Sequence, residues 1–506
     1  MTDFDRTSTW EANARPFSFP RLEEDVAVDI AIVGAGITGT TLASELADAG
    51  VRVALVDARS VGGNVTRHST GHLTSLMDAE YHRVAKDFSP EVARLVAEST
   101  TAAIDHVERN CERFGIDAGF KRVPATYFTE SLEDVDHLRK EFEAARSAGL
   151  PVTYENEIRL PFPTAGGIRL ENQAWFNPLA YTLGLAESLA ERGVQIFENT
   201  RVVDISHGDR VVMRTEGGTT ISAGRAVLCT HTPLGFDPLQ TVLSPYRSYV
   251  IGADLSDRDA YPDGLYFDTM EPYNYYRTAE VDGRPILVAG GADHPTGEMK
   301  DPNPYGSLEA FVAKRFPVSA IRFRWSAQVF VSADGLPYIG PSALRKNVFV
   351  ATGLRGDGLL WGTVAGIMLA KLARGEEHPW TPAYDSTRFK PVTSGPSFIK
   401  ENVENAVHFI ADRFKHDAPK LAGIASGEGG IVDVDGSQTA AYRDDEGHLH
   451  LLSPVCQHMK CIVSWNSADR TWDCPCHGAR YDAKTGEVIS GPAMHGLPLL
   501  RKTTTE

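Results

Sequence analysis

The chain lacks a stretch long and apolar enough to read as a membrane span. Its longest apolar run, residues 359–373, is short and interrupted by Gly362, Gly366 and Lys371. It lacks a basic surplus: 50 Lys and Arg against 67 Asp and Glu give a formal net charge of -17, which argues against a nucleic-acid or anionic-membrane surface. Residues 1–25 hold no apolar export segment, being polar and broken by Pro16 and Pro20, so a cytoplasmic location is expected. Cysteine is scarce, with six in 506 residues. Cys111 and Cys229 stand far apart in helix-like and strand-like patterns, so the bulk of the chain is no disulfide scaffold. No Ser-His-Asp or paired-carboxylate spacing points to a hydrolase.

The other four cysteines crowd together. Cys456-Gln457-His458-Met459-Lys460-Cys461 and Cys474-Pro475-Cys476-His477 each offer a Cys and a His from one loop. That pairing suits two irons bridged by sulfide, one held by the thiolates of Cys456 and Cys474, the other by the imidazoles of His458 and His477. A structural zinc site of two Cys and two His is the rival reading, but it gives the second cysteine of each box nothing to do. The two boxes resemble those of a Rieske [2Fe-2S] domain of the subclass with an extra cysteine pair, which implies a disulfide between Cys461 and Cys476. The resemblance also marks three positions. Tyr481 stands where a Tyr donates to a ligand sulfur, Ala479 where many such domains carry a donating Ser, and Lys460 where Gly is common, so that the turn at Lys460 is expected to differ in geometry.

At 506 residues the chain exceeds one core, and roughly 150 residues per domain gives about three structural units. Near the front, Asp29-Ile30-Ala31-Ile32-Val33 reads as a buried parallel strand running into Gly34-Ala35-Gly36-Ile37-Thr38-Gly39 and a helix over 40–49. A second apolar run, 51–56, ends at Asp57. This is the dinucleotide fingerprint in context: Gly34 for the tight turn, Gly36 for close approach of a pyrophosphate, Gly39 for helix-on-strand packing, and Asp57 placed for a ribose. The motif alone does not separate NAD from FAD. Residues 61–74, however, form a polar glycine-bearing loop that no third Rossmann strand would need. It resembles the loop over the isoalloxazine in the glycine oxidase and D-amino-acid oxidase superfamily.

That resemblance implies FAD, with contacts from Ile37, Thr38, Ala58, Arg59, Thr70, Gly71 and His72. Some members of the superfamily bond the flavin to a loop His, making His68 and His72 candidates for attachment; the plainer reading is a hydrogen-bonded His. Further along, Val203 is expected behind the adenine and Thr230 against the cofactor. Gly353, Arg355, Gly356, Asp357, Gly358 and Leu359 form a glycine-rich turn and helix start at the pyrimidine end, where backbone N–H groups favour negative charge. The Cys linkage of some relatives is excluded, because residues 327–334 contain no Cys.

The fold implied is an α/β FAD-binding domain, Rossmann-like and of glutathione-reductase type, with an α+β substrate domain and a small all-β Rieske domain. FAD-binding segments are expected near 25–77, 170–240 and 330–388 and substrate segments near 78–169 and 241–329, together making an oxidoreductase unit over 1–390. A linker over 391–416, with a strapping helix at 401–414, leads to the Rieske domain at 417–506. Residues 78–115 read as helical, 121–129 as a strand and 132–148 as an amphipathic helix. The aromatic, β-branched stretch 244–293 reads as an antiparallel sheet walling a substrate cavity, with Arg247, Tyr249, Tyr276 and Arg277 offered to substrate and His72 as a further catalytic candidate.

The chemistry expected is oxidation of a small substrate at a C–H next to nitrogen, FAD passing electrons singly to the cluster and on to an external acceptor. Two alternatives stay open: an electron-transfer protein exchanging electrons with a protein partner and binding no small amine, and a simple oxidase whose cluster is only structural.

Overall fold

The computed structural model describes residues 7–12, 14, 17–388 and 421–503. The expected linker and strapping helix lie outside the described residues.

The apolar run Val26–Val33 forms the central parallel strand of an eight-stranded sheet. It is flanked by Val53–Val56 on one side and Thr220–Leu228 on the other. Gln195–Phe197 and Val348–Thr352 extend it in parallel, and Tyr338–Pro341 closes one edge antiparallel. A strand with β-branched residues buried on both faces has this composition because helices or a second layer must cover each side. Here helix Ile37–Asp48 and helix Gly358–Leu372 pack together on one face. Gly362 and Gly366 allow the approach, since a Cβ at Gly366 would lie 2.7 Å from Thr41. The Rossmann-like reading of the front of the chain holds.

The second sheet has nine strands, in the order Val318–Ser332, Leu243–Leu255, Arg284–Pro295, Tyr275–Val281, Leu265–Asp268, Lys121–Thr129, Gly166–Trp175 and His72–Leu73, with Thr153–Glu155 on Gly166–Trp175. Its strands come from both sides of the dinucleotide segments. The expected single helical stretch 78–115 is instead two helices, Tyr81–Asp87 and Pro90–Phe114. The break has a local cause: Ser89 caps the second helix by accepting the Val92 N–H, and Pro90 starts it.

The C-terminal part is two four-stranded antiparallel sheets, Gly429–Val434, Ser437–Arg443, Leu449–Leu452 and Leu499–Thr503 in one, Ser464–Asn466, Thr471–Asp473, Arg480–Asp482 and Val488–Ser490 in the other. Among the described residues no helix is long and apolar enough to cross a membrane.

Candidate functional site

Two loops built alike meet at the end of the second small sheet. In the first, the Cys456 N–H donates to the Cys461 carbonyl and the Lys460 N–H to the Cys456 carbonyl. In the second, the Cys474 N–H donates to the Ala479 carbonyl and the Gly478 N–H to the Cys474 carbonyl. The left-handed residue falls at the same place in both, Lys460 with φ +62° and Gly478 with φ +72°. Lys460 therefore keeps the turn that a glycine would make rather than changing it, at a local strain of about 1 kcal/mol.

The pairing brings the expected donors together. Cys456 and Cys474 are buried free thiols, and Cys461 is bonded to Cys476. The rings of His458 and His477 stand 5.0 Å apart, centroid to centroid. Burial pushes both histidines down to about 4, His458 also feeling the charge of His477, so both are neutral ligand-competent imidazoles at neutral pH. The Cys456 thiol is lowered to about 7, first by a hydrogen bond with Cys474. Tyr481 O–H accepts from the Gln457 N–H at 3.2 Å, which leaves its own proton for Cys456 Sγ at 3.1 Å. Among the described residues His458 Nδ1 and Nε2 and His477 Nδ1 have no partner. Unpaired nitrogens on two adjacent buried imidazoles, delivered by the same two loops as a pair of buried free thiols, fit a metal cluster that takes them as ligands.

The second site is a cavity between the two large sheets. The dinucleotide fingerprint forms one end. Gly34 has φ +103°, and a Cβ on Gly39 would lie 1.9 Å from the Gly34 carbonyl, so only glycines permit this strand-to-helix turn. Asp57 accepts N–H bonds from Ala35 and Arg59, both at 2.8 Å. Gly34, Gly36, Ile37, Thr38, Asp57, Ala58, Arg59, Thr70, His72, Thr230, Arg355, Gly356, Asp357, Gly358 and Leu359 all line the cavity. Gly39, Gly71 and Gly353, also expected against the cofactor, do not line it. Val203 does not line it; Val202, one residue earlier and turned to the opposite face of its strand, does. His68 also lines the cavity, and its carbonyl accepts from Trp325 Nε1 at 2.9 Å.

The sheet residues offered to substrate need correction. Tyr249 stacks on His294 and meets Tyr305 edge to face, and Tyr276 packs with Phe128, Phe162 and Phe316. Both are on the sheet face away from the cavity. Arg247, on the same side, is 2% exposed and paired with Asp469 of the C-terminal part. Arg277 donates to the carbonyls of Thr70, Gly71 and Phe176 and so braces the loop rather than facing substrate. Ser248 and Tyr275, the neighbours of Tyr249 and Tyr276 on the other parity, line the cavity together with Tyr273. Period-two alternation was visible, but both faces of this sheet are buried, so it did not reveal which parity turns inward.

The inner end of the cavity concentrates polar groups. Tyr273 O–H donates to Asp78 Oδ2 at 3.1 Å, and the Asp78 N–H to Asp357 Oδ2 at 3.0 Å. Burial raises both carboxyls above the ordinary range, with the charge of Glu80 adding to it at Asp78 and that of Asp78 adding to it at Asp357. His72 is driven down to about 3 by burial and then by Arg277, so it is a neutral imidazole; Nδ1 lies 3.0 Å from Thr70 Oγ1 and Nε2 has no protein partner. A cavity lined by the glycine turn at residues 34–36, by the start of helix Gly358–Leu372 and by the unpartnered His72 Nε2 fits a dinucleotide-sized cofactor.

The least anticipated feature is the wall contributed from the far end of the chain. Val488, Ile489, Ser490, Gly491, Ala493 and Met494 all line this cavity. Arg201 ties them down by donating to the Val488 carbonyl at 3.0 Å.

Residues 29–372 match the FAD dependent oxidoreductase family DAO. The chain belongs to that family. Residues 418–501 match the Rieske [2Fe-2S] domain. This FAD-dependent oxidoreductase is similar over almost its whole length to the Rieske 2Fe-2S iron-sulfur protein YhfW of Bacillus subtilis (strain 168), 32% identical over 96% of each chain. Gamma-glutamylputrescine oxidoreductase of Escherichia coli (strain K12) is 23% identical, covering 73% of this chain and 89% of its own. Among solved structures, glycine oxidase from Geobacillus kaustophilus shares the fold at a TM-score of 0.60 and 23% identity, over 72% of this chain and 99% of its own. The protein is thus an oxidoreductase that uses FAD and a [2Fe-2S] cluster.

Proposed function

We propose that the protein oxidises a small amine or amino acid at the C–H next to nitrogen and delivers the electrons one at a time, through the cluster, to an external acceptor. Bound flavin supplies two-electron chemistry and the cluster one-electron chemistry. The observation that carries the reading is the shared wall: the segment 488–494 of the cluster-bearing part lines the same cavity as the dinucleotide fingerprint. A wall shared between the two parts of the chain favours electron exchange within it. Similarity to a relative named for gamma-glutamylputrescine supports an amine substrate.

In this reading 1–390 is the oxidoreductase unit, 391–416 the linker and 417–506 the Rieske domain. Cys456 and Cys474 hold one iron, His458 and His477 the other. The start of helix Gly358–Leu372 stabilises negative charge at the inner end of the cavity. Tyr273, Asp78 and Asp357 hold a proton among them there. His72 Nε2 offers a hydrogen bond to whatever lies against it, and neutral His72 makes no charge of its own.

An anaerobic screen of amines and amino acids for bleaching of the flavin tests this directly. Bleaching by an amine, followed by the signal of the reduced cluster, is expected. If no small molecule bleaches the flavin while a reductase does, the protein is an electron carrier instead.

A further inference from the structure

Electron exchange between two centres depends on what fills the space between them, and here a single side chain bridges the two sites. Gln328, on strand Val318–Ser332, lines the flavin cavity and is 2% exposed. Its Nε2 donates to the Gly478 carbonyl at 2.7 Å. That carbonyl can only accept, so the amide orientation is fixed, and Oε1 has no partner among the described residues. Gly478 directly follows His477. One hydrogen bond and one peptide unit therefore connect the cavity wall to a proposed cluster ligand.

The packing around this bond leaves little slack. A Cβ on Gly478 would stand 2.6 Å from both Gln328 Nε2 and Pro245 Cβ, and one on Gly297 would stand 2.8 Å from the backbone nitrogen of Pro475. Beside them Asp469 takes Arg247 at 2.6 Å and Arg480 at 3.1 Å, and Arg480 reaches Asp473, the residue before Cys474, at 3.0 Å. The loop bearing Cys474 and His477 is thus seated on the nine-stranded sheet by close backbone contact and by a buried charge network.

We infer that Gln328 is a positioning residue that holds the cluster loop against the flavin cavity, and that electrons cross from flavin to cluster through the Gln328–Gly478 contact. The inference rests on the reading that flavin is the donor and the cluster its acceptor. In each crossing the reduced flavin loses one electron and the oxidised cluster gains one. Two crossings, with the cluster reoxidised between them by an external one-electron acceptor, clear the two electrons taken from one substrate, and the flavin protons leave to solvent.

The test needs no known substrate, because light in the presence of EDTA reduces bound flavin directly. After an anaerobic light pulse on the intact protein, flavin bleaching and the electron paramagnetic resonance signal of the reduced cluster are followed in time. In Gln328→Leu, the flavin should still bleach and the cluster signal should retain its g-values, while cluster reduction relative to flavin bleaching slows at least tenfold. In Gln328→Glu, whose acid can donate to Gly478 only when protonated, cluster reduction should recover as pH is lowered, a profile that loss of packing alone would not give. Cluster reduction at the wild-type rate in the Leu variant would overturn the role of Gln328. A wild-type cluster that never receives an electron from reduced flavin would overturn the electron route itself.

Discussion

The cluster pocket and the flavin cavity are built on opposite plans. The cluster pocket takes its four proposed donors and its disulfide from two loops spanning residues 456–479, each closed by its own pair of backbone hydrogen bonds. The flavin cavity collects residues from position 33 to position 494, and no one segment makes more than a side of it. A local site should fail completely when one donor is lost and leave its surroundings standing. A distributed site should weaken by degrees when any contributing contact is disturbed.

The largest effect expected follows from the first half of that contrast. In Cys474→Ala the cluster loses a thiolate for which no other cysteine in the pocket can substitute, Cys461 and Cys476 being bonded to each other. Iron and sulfide content should fall to background, while flavin content, by absorbance after protein denaturation, stays near that of the wild type. Parallel loss of flavin would show that the wall at 488–494 depends on the cluster, and the two plans would collapse into one.

The second half of the contrast is probed at the interface. Arg247→Met removes one member of a buried ion pair, while Asp469 keeps Arg480 and the Ser326 hydroxyl. Breaking a buried pair typically costs about 3–5 kcal/mol, and the remaining partners should bring the loss to the lower end. Flavin should then be released at a lower urea concentration than in the wild type, with cluster absorbance persisting beyond it. Release of both together would mean that the cluster loops are not self-supporting.

The same contrast explains what could be read in the sequence. The cluster donors are spaced within loops, and the first strand, glycine turn, helix and Asp57 follow one another, so both were legible from neighbours alone. The wall formed by 488–494 and the Arg247–Asp469 pair join residues more than two hundred positions apart, and no local pattern encodes them. At Val203 and Tyr276 the strand was legible but its inward parity was not, because apolar residues lie on both faces. Ser89-Pro90 is different in kind: the helix start was written there as a cap and a proline.

A smaller effect tests whether the cluster pocket can be tuned without touching the cavity. Ala479 is fully buried, and its carbonyl closes the second loop. A Ser there adds one hydroxyl donor near the cluster, favouring its more negative, reduced form. One hydrogen bond of about 1 kcal/mol corresponds to roughly 40 mV in a one-electron couple. Ala479→Ser should therefore raise the cluster midpoint by that order while the flavin midpoint stays put. A fall, or no change, would refute the role given to that position.

The smallest effect lies outside both sites and gives a baseline against which they can be judged. His82 Nδ1 lies 2.9 Å from Glu141 Oε2, linking helix Tyr81–Asp87 to helix Val135–Ser147. That hydrogen bond raises the His82 pKa above its ordinary value, against the opposing pull of burial. A histidine raised on folding stabilises the fold fully below its unfolded value of about 6.5, and the contribution is lost as pH climbs through the folded value. His82→Gln should thus lower the melting temperature more at pH near 6 than at pH near 8.5, by an amount equivalent to about 1 kcal/mol or less. Flavin and cluster content should be unchanged at both, since neither site touches this pair; an equal loss at the two pH values would mean that Glu141 holds His82 by its neutral form alone.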